Sequence, residues 1–274
     1  MDKSPEFRIA ILDVRQPSAF EKGHRSGAVN IALEELTARI HELPSRHAPV
    51  CIYDDDARRA RWAVSRLRAR GRDQVVWRAG RHWLLSGPIE CGRSMGRLWS
   101  PHSLLLRGLE VAESRWGGLV GRRALDIACG TGRDAVSMAL HGMSVEAWDI
   151  LPDALERCRD LADRNGVRLT ACVGDVECDL SIEDAAYDAI VCFNFLHRPL
   201  MASIARGVRP GGIVVYETFV EEQRRLFGKP RSDLHLLKNG ELCRYFPGWE
   251  IIHKSEGLAA PRRFVASLIA FRPV

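Results

Sequence analysis

The stretch Ala124-Leu-Asp-Ile-Ala-Cys-Gly-Thr-Gly-Arg-Asp-Ala-Val136 decides the fold of the larger part of this chain. A short apolar strand passes through a glycine turn and opens a helix. In α/β domains this arrangement places a nucleotide-like ligand at the carboxyl end of the first strand. Asp126, Gly130 and Gly132 lie too close together for the dinucleotide-binding G-x-G-x-x-G pattern. No Lys-Ser or Lys-Thr pair follows the glycines, which excludes a phosphate-binding P-loop.

Strand-like and helix-like segments alternate regularly around this stretch. Strands are predicted over 124–128, 144–149, 169–173, 188–193 and 213–218, helices over 102–116, 133–141, 152–165 and 200–208, and a closing antiparallel hairpin over 249–255 and 263–271. This alternation predicts a doubly wound α/β sheet, in which a ligand binds outside the carboxyl ends of the strands.

Two further acidic residues follow the next two predicted strands. Asp149 lies 23 residues beyond Asp126, near the offset of about 20 residues at which an acid binds ribose hydroxyls in nucleotide-binding folds. Asp175 follows the third strand. With the glycine turn, these acids resemble the motifs of class I S-adenosylmethionine (SAM) methyltransferases. The resemblance implies a Rossmann-like domain with SAM as its cofactor.

The same resemblance implies a role for each residue of the cofactor site. Gly130 and Gly132 let the backbone approach the methionyl part of the cofactor, and the N-terminus of the next helix receives its carboxylate. Asp149 and Asp175 bind the ribose hydroxyls and the adenine amino group. The expected cofactor-binding residues are Asp126, Ala128, Gly130, Gly132, Arg133, Asp149, Ile150, Asp175, Val176 and Asn194.

The segment after the fourth strand, Phe193-Asn-Phe-Leu-His-Arg-Pro-Leu200, bears on the methyl acceptor. It lacks the D/N-P-P-Y motif with which amino-methyltransferases bind a nucleobase or amide nitrogen. The run Gly130–Val136 with Asp149 resembles the TehB-like tellurite-resistance and thiol methyltransferase group. This resemblance implies a small acceptor that is anionic or soft, such as a thiol or a chalcogen.

Three residues are expected to act in catalysis. His197 could deprotonate a nucleophile near neutral pH, and Arg198 could bind an anionic acceptor. Both could equally brace the loop before Pro199. Glu217 ends the fifth strand and, with Tyr216, is expected to face the same region.

Residues 5–92 resemble the rhodanese domain, a small parallel α/β fold. The matching pieces include Leu12-Asp-Val-Arg15 and Phe20-Glu-Lys-Gly-His24. In that family a catalytic cysteine follows the strand that here ends at Tyr53, but this chain has Asp54 at the position. Because a carboxylate cannot form a persulfide, the domain is predicted to lack sulfurtransferase activity. Cys51, inside the strand, is expected to be a buried thiol.

The resulting domain plan has three parts. Residues 1–92 form the rhodanese-like domain, 93–118 a linker and a leading helix, and 119–274 the methyltransferase domain. Within the first part, a helix is predicted over 33–43 and another over 55–70. The second of these carries an arginine cluster that contributes much of the net charge of +5.

Composition leaves the partner open. A solvated helix face accounts for the arginines most simply, while an RNA or protein methyltransferase that docks its substrate there is an alternative, as is a non-catalytic SAM-binding regulator. The eight cysteines form no C-x-x-C pair, so neither a metal site nor a disulfide framework is predicted. Without a long apolar run or a secretory leader, we expect a cytoplasmic protein that does not enter membranes.

Overall fold

The computed structural model describes residues 9–94, 96–178 and 181–274. The chain divides into two units, Met1–Ser100 and Pro101–Val274, and each is described by itself.

The first unit is built on a parallel sheet. Its elements are β1 (Ala10–Asp13), α1 (Pro17–Glu21), β2 (His24–Arg25), β3 (Val29–Asn30), β4 (Val50–Asp54), α2 (Ala57–Arg68), β5 (Val75–Ala79), α3 (Arg81–Leu85) and β6 (Ile89–Glu90). The sheet order is β3-β1-β4-β5 with all pairings parallel, and β2 and β6 form a separate antiparallel pair. Helix α2 buries Ala63, Val64 and Leu67 in the core, and the Asp56 side chain caps its first turn by accepting from the Arg58 amide.

The helix predicted over 33–43 is wrong. Residues 33–39 form successive turns, followed by a 3-10 turn over Ile40–Glu42. The Leu33 amide donates to the Val14 carbonyl, which ties the start of the segment to the sheet. The Leu36 amide then donates to the carbonyl of Leu33, three residues earlier, as in a 3-10 turn, and not to the residue four positions earlier as in an α-helix. The hydrogen bond to the neighbouring strand segment therefore outweighs the helical preference that the apolar periodicity of residues 33–43 had indicated.

The second unit contains the longer run of elements. They are α4 (Ser103–Trp116), β7 (Arg123–Ile127), α5 (Arg133–Leu140), β8 (Ser144–Asp149), α6 (Pro152–Arg164), β9 (Thr170–Val173), β10 (Tyr187–Phe193), α7 (Leu200–Gly207), β11 (Val208–Phe219), α8 (Glu221–Phe227), α9 (Glu241–Arg244), β12 (Glu250–Ala260) and β13 (Arg263–Phe271).

These strands form one sheet in the order β12-β13-β11-β10-β7-β8-β9. Strands β7 to β11 are mutually parallel, and the β12–β13 hairpin joins β11 in the antiparallel sense. Apolar clusters cover both faces of the sheet. The chain moves outward through β8 and β9 and returns to β10 beside β7, so the topological switch point lies between β7 and β10. The predicted doubly wound fold class is confirmed.

Among the described residues, no helix combines the length and apolar character that a membrane span requires.

Candidate active site

The glycine turn follows β7 directly. Ala128, Gly130 and Gly132 all have positive φ angles, of 55°, 55° and 78°. A Cβ atom built on Gly132 would overlap the Cys158 side chain and approach the Cys158 Cα to 3.2 Å. A Cβ atom built on Gly130 would meet nothing within 4 Å. Gly132 therefore permits close packing of α5 against α6, whereas Gly130 borders open space that a side chain would fill.

Asp149, at the end of β8, holds this turn in place. Its Oδ2 accepts from the Gly130 amide at 2.8 Å and its Oδ1 from the Leu151 amide at 2.9 Å. The Asp149 carbonyl accepts from the Gly174 amide at 3.1 Å. The Asp149 carboxylate thus ties the turn after β7 to the turn after β8, and the Asp149 main-chain carbonyl joins the turn after β9 to them.

A cavity of about 300 Å³ opens beside these turns. Among its lining residues are five of the expected cofactor-binding positions, which come from the turns after three neighbouring strands. They are Ala128, Asp149, Ile150, Asp175 and Val176. Gly174, Glu177 and Phe195 also line this cavity.

Asp126 lies inside β7 and is 2% exposed. Its Oδ2 atom has no hydrogen-bond partner among the described residues. Burial raises the pKa of this carboxyl well above its usual value, and nearby Asp134 raises it further. A buried carboxylate oxygen without a donor is costly, so the position fits a ligand that supplies one, such as an ammonium group. The open space at Gly130 and this unsatisfied oxygen both fit SAM.

Arg133 and Asp134 begin α5 beside the turn. The Arg133 side chain is half-buried, and this burial lowers the pKa of its guanidinium. Asp134 Oδ1 accepts from the His102 amide at 2.6 Å, so the start of α5 is joined to the start of α4. Burial raises the pKa of the Asp134 carboxyl.

His102 is a site residue that the sequence did not reveal. It caps α4, because its Nδ1 accepts from the Leu104 amide at 3.3 Å. The ring proton is therefore assigned to Nε2, which lies 3.0 Å from Glu217 Oε1. The ring stacks on Phe193 with 4.3 Å between centroids. The local signal in the sequence is a histidine at the first position of the helix predicted over 102–116.

Glu217 is a buried carboxylate whose two oxygens both accept hydrogen bonds. Besides His102, it accepts from Arg263 Nη2 at 2.7 Å and from Ser267 Oγ at 2.7 Å. Burial raises the pKa of Glu217, but the hydrogen bonds from these three donors outweigh it and lower the pKa to about 2. Such a carboxylate is a poor proton acceptor near neutral pH. It joins α4 to the β11–β13 edge of the site.

The other two expected catalytic residues lie in different surroundings. His197 Nδ1 lies 3.4 Å from Oε1 of Glu177, and Glu177 lines the 300 Å³ cavity. Arg198 lines a separate cavity and forms a bidentate ion pair with Glu241, with its Nε 2.6 Å from Oε1 and its Nη2 3.0 Å from Oε2. Its Nη2 also donates to the Leu236 carbonyl at 2.7 Å.

Asn194 follows β10 with a φ of 60° and an exposed side chain. Its amide donates to the Glu217 carbonyl at 2.8 Å. The backbone of this residue therefore keeps the ends of β10 and β11 together beside the switch point.

In the first unit, the side chain of Asp54 forms hydrogen bonds within the loop that follows β4. Asp54 is 4% exposed, and it accepts from the Asp56 amide at 2.9 Å and from Arg59 Nε at 3.0 Å. Asp55 accepts from Arg15 Nη1 at 3.3 Å. Cys51 is buried in β4, and burial raises the pKa of its thiol.

Comparison with known proteins identifies both parts of the chain. The family model of the rhodanese-like domain matches residues 1–80, and a methyltransferase-domain model matches residues 124–212. The "Ubiquinone biosynthesis O-methyltransferase" of Vibrio cholerae serotype O1 is 37% identical over 106 residues, which cover 37% of this chain and 43% of that relative. Its counterpart from Sodalis glossinidius is 37% identical over 115 residues, covering 40% and 46%.

This chain spans less than half the length of these curated relatives. Among solved structures, TehB from Haemophilus influenzae superposes with a TM-score of 0.49 at 18% identity, covering 62% of each chain. The family matches confirm the predicted combination of domains. The chain therefore joins a rhodanese-like domain to a methyltransferase domain whose cofactor is S-adenosylmethionine.

Proposed function

We propose that this protein methylates a small acceptor through a thiol, a chalcogen or another soft or anionic atom. One observation carries the methyl-transfer part of the proposal. The acids that follow successive strands converge with an open glycine turn on a single cavity, as shown by Asp149 and Asp175 beside Gly130. A solvated surface loop would not need three strand-end turns to be held together by the carboxylate and the main-chain carbonyl of one buried residue.

The binding roles follow from the surroundings of each residue. Asp149 holds the turn in place, and both Asp149 and Asp175 line the cavity, where carboxylate oxygens are suited to accept from ribose hydroxyls and an adenine amino group. The unsatisfied oxygen of Asp126 suits the methionyl ammonium group. Three carboxylates at this edge of the sheet favour a cationic cofactor over an anionic one.

When bound, SAM supplies a methyl group on a sulfonium, and transfer to a nucleophile is an in-line displacement. Most of the rate enhancement can therefore come from holding the acceptor in line. His197, oriented by Glu177, is the residue in this region best placed to take a proton from an acceptor. Glu217 and Arg198 are already engaged by other side chains, so we assign them to positioning rather than to proton transfer or acceptor binding.

A phenolic oxygen is the second candidate acceptor. It is favoured by the 37% identity to relatives named ubiquinone biosynthesis O-methyltransferases. The residue requirements are similar, because a phenol must also lose its proton before or during transfer. The choice of acceptor thus concerns the pocket beside the methyl group rather than the cofactor site.

Calorimetry with SAM tests the cofactor site directly. Gly130→Val should abolish binding, because its side chain fills the open space beside the turn. Gly166→Val is the matched control, since Gly166 also has a positive φ, of 68°, and also has nothing within 4 Å. The assignment fails if Gly130→Val retains the affinity of the control.

Labelled SAM then identifies the acceptor. The protein is incubated with a panel of thiols, tellurite, selenite, catechols and RNA, and methylated products are counted. Transfer to the thiol or chalcogen members supports the first candidate, and transfer to catechols alone supports the second. SAM binding without product on any member, or with RNA as the sole acceptor, contradicts both.

A further inference from the structure

Six exposed arginines of the first unit lie on α2, in the turn that follows it and on the neighbouring edge strand β5. They are Arg58, Arg61, Arg66, Arg68, Arg70 and Arg78. We call this surface the arginine face. Strand β5 is the last strand of its sheet, so its outer edge is open in the described part of the unit.

None of these six guanidinium groups pairs with a carboxylate of the described residues. Arg61, Arg68, Arg70 and Arg78 donate instead to main-chain carbonyls. Some other arginines of the same unit are neutralised by carboxylates; Arg39, for example, binds Glu35 and Glu42. The arginine face therefore presents positive charge that the described part of the protein does not compensate.

Two tryptophans are interleaved with these arginines. Trp62 of α2 is 43% exposed and Trp77 of β5 is 37% exposed. The Arg66 guanidinium lies 4.4 Å from the centre of the Trp62 ring, and that of Arg61 lies 5.7 Å from the centre of the Trp77 ring. A stacked guanidinium is held flat and keeps its N–H groups available at its rim, which suits a phosphate.

We propose that the arginine face binds single-stranded RNA, with phosphates on the arginines and bases against the two indole rings. Repeated cation and aromatic contacts match the alternation of phosphate and base along a strand. RNA commonly offers such splayed, unpaired bases. An acidic peptide would use the cations but would leave both exposed indole rings without a matching group. This binding is separate from the proposed methyl transfer.

The test uses the full chain and a fluorescein-labelled oligouridylate of about 12 nucleotides, followed by anisotropy at about 50 mM and about 200 mM salt. We expect measurable binding at the lower concentration and a steep loss at the higher one. Arg61→Ala/Arg66→Ala should bind at least about tenfold more weakly, with a shallower salt dependence.

Arg81→Ala/Arg97→Ala is the matched control. It removes the same charge from exposed arginines of the same unit, one of which, Arg97, also stacks on a tryptophan, Trp99. We expect it to bind like the wild type. Trp62→Leu/Trp77→Leu should lose about fivefold or more in affinity and should abolish the quenching of tryptophan fluorescence by bound RNA. Thermal melts establish that each variant is folded.

Three results would overturn the proposal. One is the absence of binding at low salt. A second is an equal loss of affinity in the Arg61/Arg66 and Arg81/Arg97 variants, which would indicate a diffuse charge effect. The third is displacement of the oligouridylate by a polyglutamate peptide at equal charge concentration, which would identify an acidic protein as the fitting partner. In the first case, the arginines serve to protect the open edge of β5 from strand pairing.

Discussion

Asp126 combines deep burial with a carboxylate oxygen that no described group satisfies. Burial raises the pKa of its carboxyl, and Asp134 raises it further. Because the raised pKa belongs to the folded state, the free energy of unfolding without ligand falls as the pH rises through it. The ionised form is the one that binds a cation. Cofactor binding and proton release should therefore be linked at this residue.

We expect the affinity for SAM to be weaker at a lower pH than at a higher one, because the pKa of Asp126 is raised and its protonated form offers no charge to the ammonium group. Asp126→Asn should weaken binding at the higher pH by roughly 10- to 100-fold, the scale of one hydrogen bond to a charged group. It should also flatten the pH dependence. Calorimetry in buffers of different ionisation enthalpy measures both effects.

Asp163→Asn is the control for this experiment, because Asp163 is exposed on α6. It should keep the wild-type affinity and pH profile. A wild-type affinity that does not change with pH, or a slope that persists in Asp126→Asn, would show that another group carries the linkage.

At the scale of elements, the contact between α5 and α6 depends on the absence of a side chain at Gly132. We predict that Gly132→Ala destabilises the protein, because the new Cβ would lie 2.8 Å from the Cys158 Cβ and 3.2 Å from its Cα. Gly166→Ala is the reference for backbone strain alone, since it has a similar φ and open space.

Chemical unfolding in urea measures the difference between the two variants. Gly166→Ala should cost about 1 kcal/mol, the strain of a left-handed alanine. Gly132→Ala should cost about 1–3 kcal/mol more, because the overlap forces the helices apart. Equal losses in the two variants would mean that α6 moves away without cost.

Most elements of the second unit could be predicted because their signals are local. The glycine turn and the acids after successive strands each mark a strand end. Helix α8 was not predicted, although its start at Glu221 and Glu222 is acidic and its end at Gly228 is left-handed. In the first unit, the helix predicted over 33–43 fails because the amide of Leu33 bonds to a neighbouring segment.

The partners of the site residues could not be predicted, because they come from distant parts of the chain. Ser267 reaches Glu217 only through the antiparallel register of β11 and β13. Arg198 meets Glu241 43 residues further along the chain. Sequence spacing locates a strand end within a fold, but the lateral register that brings two strand ends together is set by packing of the whole sheet.

At the scale of the whole molecule, we predict that the rhodanese-like unit does not transfer sulfur. A cyanide–thiosulfate assay should detect no thiocyanate above background, because Asp54 occupies the position of the nucleophile and Cys51 is buried with a raised pKa. The Cys51→Ser variant should behave identically. Turnover that disappears in Cys51→Ser would show that the buried thiol is the nucleophile after all.

The hydrogen bonds around Asp54 also bear on whether a single substitution could introduce sulfur transfer at this position. In the loop after β4, Asp54 supplies the negative charge that the Asp56 amide and Arg59 contact. Asp54→Cys would remove that charge at neutral pH and leave Arg59 with Glu34 as its remaining carboxylate partner among the described residues. Asp55 and Asp56 would still repel an anionic sulfur donor. Sulfur transfer from this loop would therefore require changes at several of its positions together, and Asp54→Cys alone would not suffice.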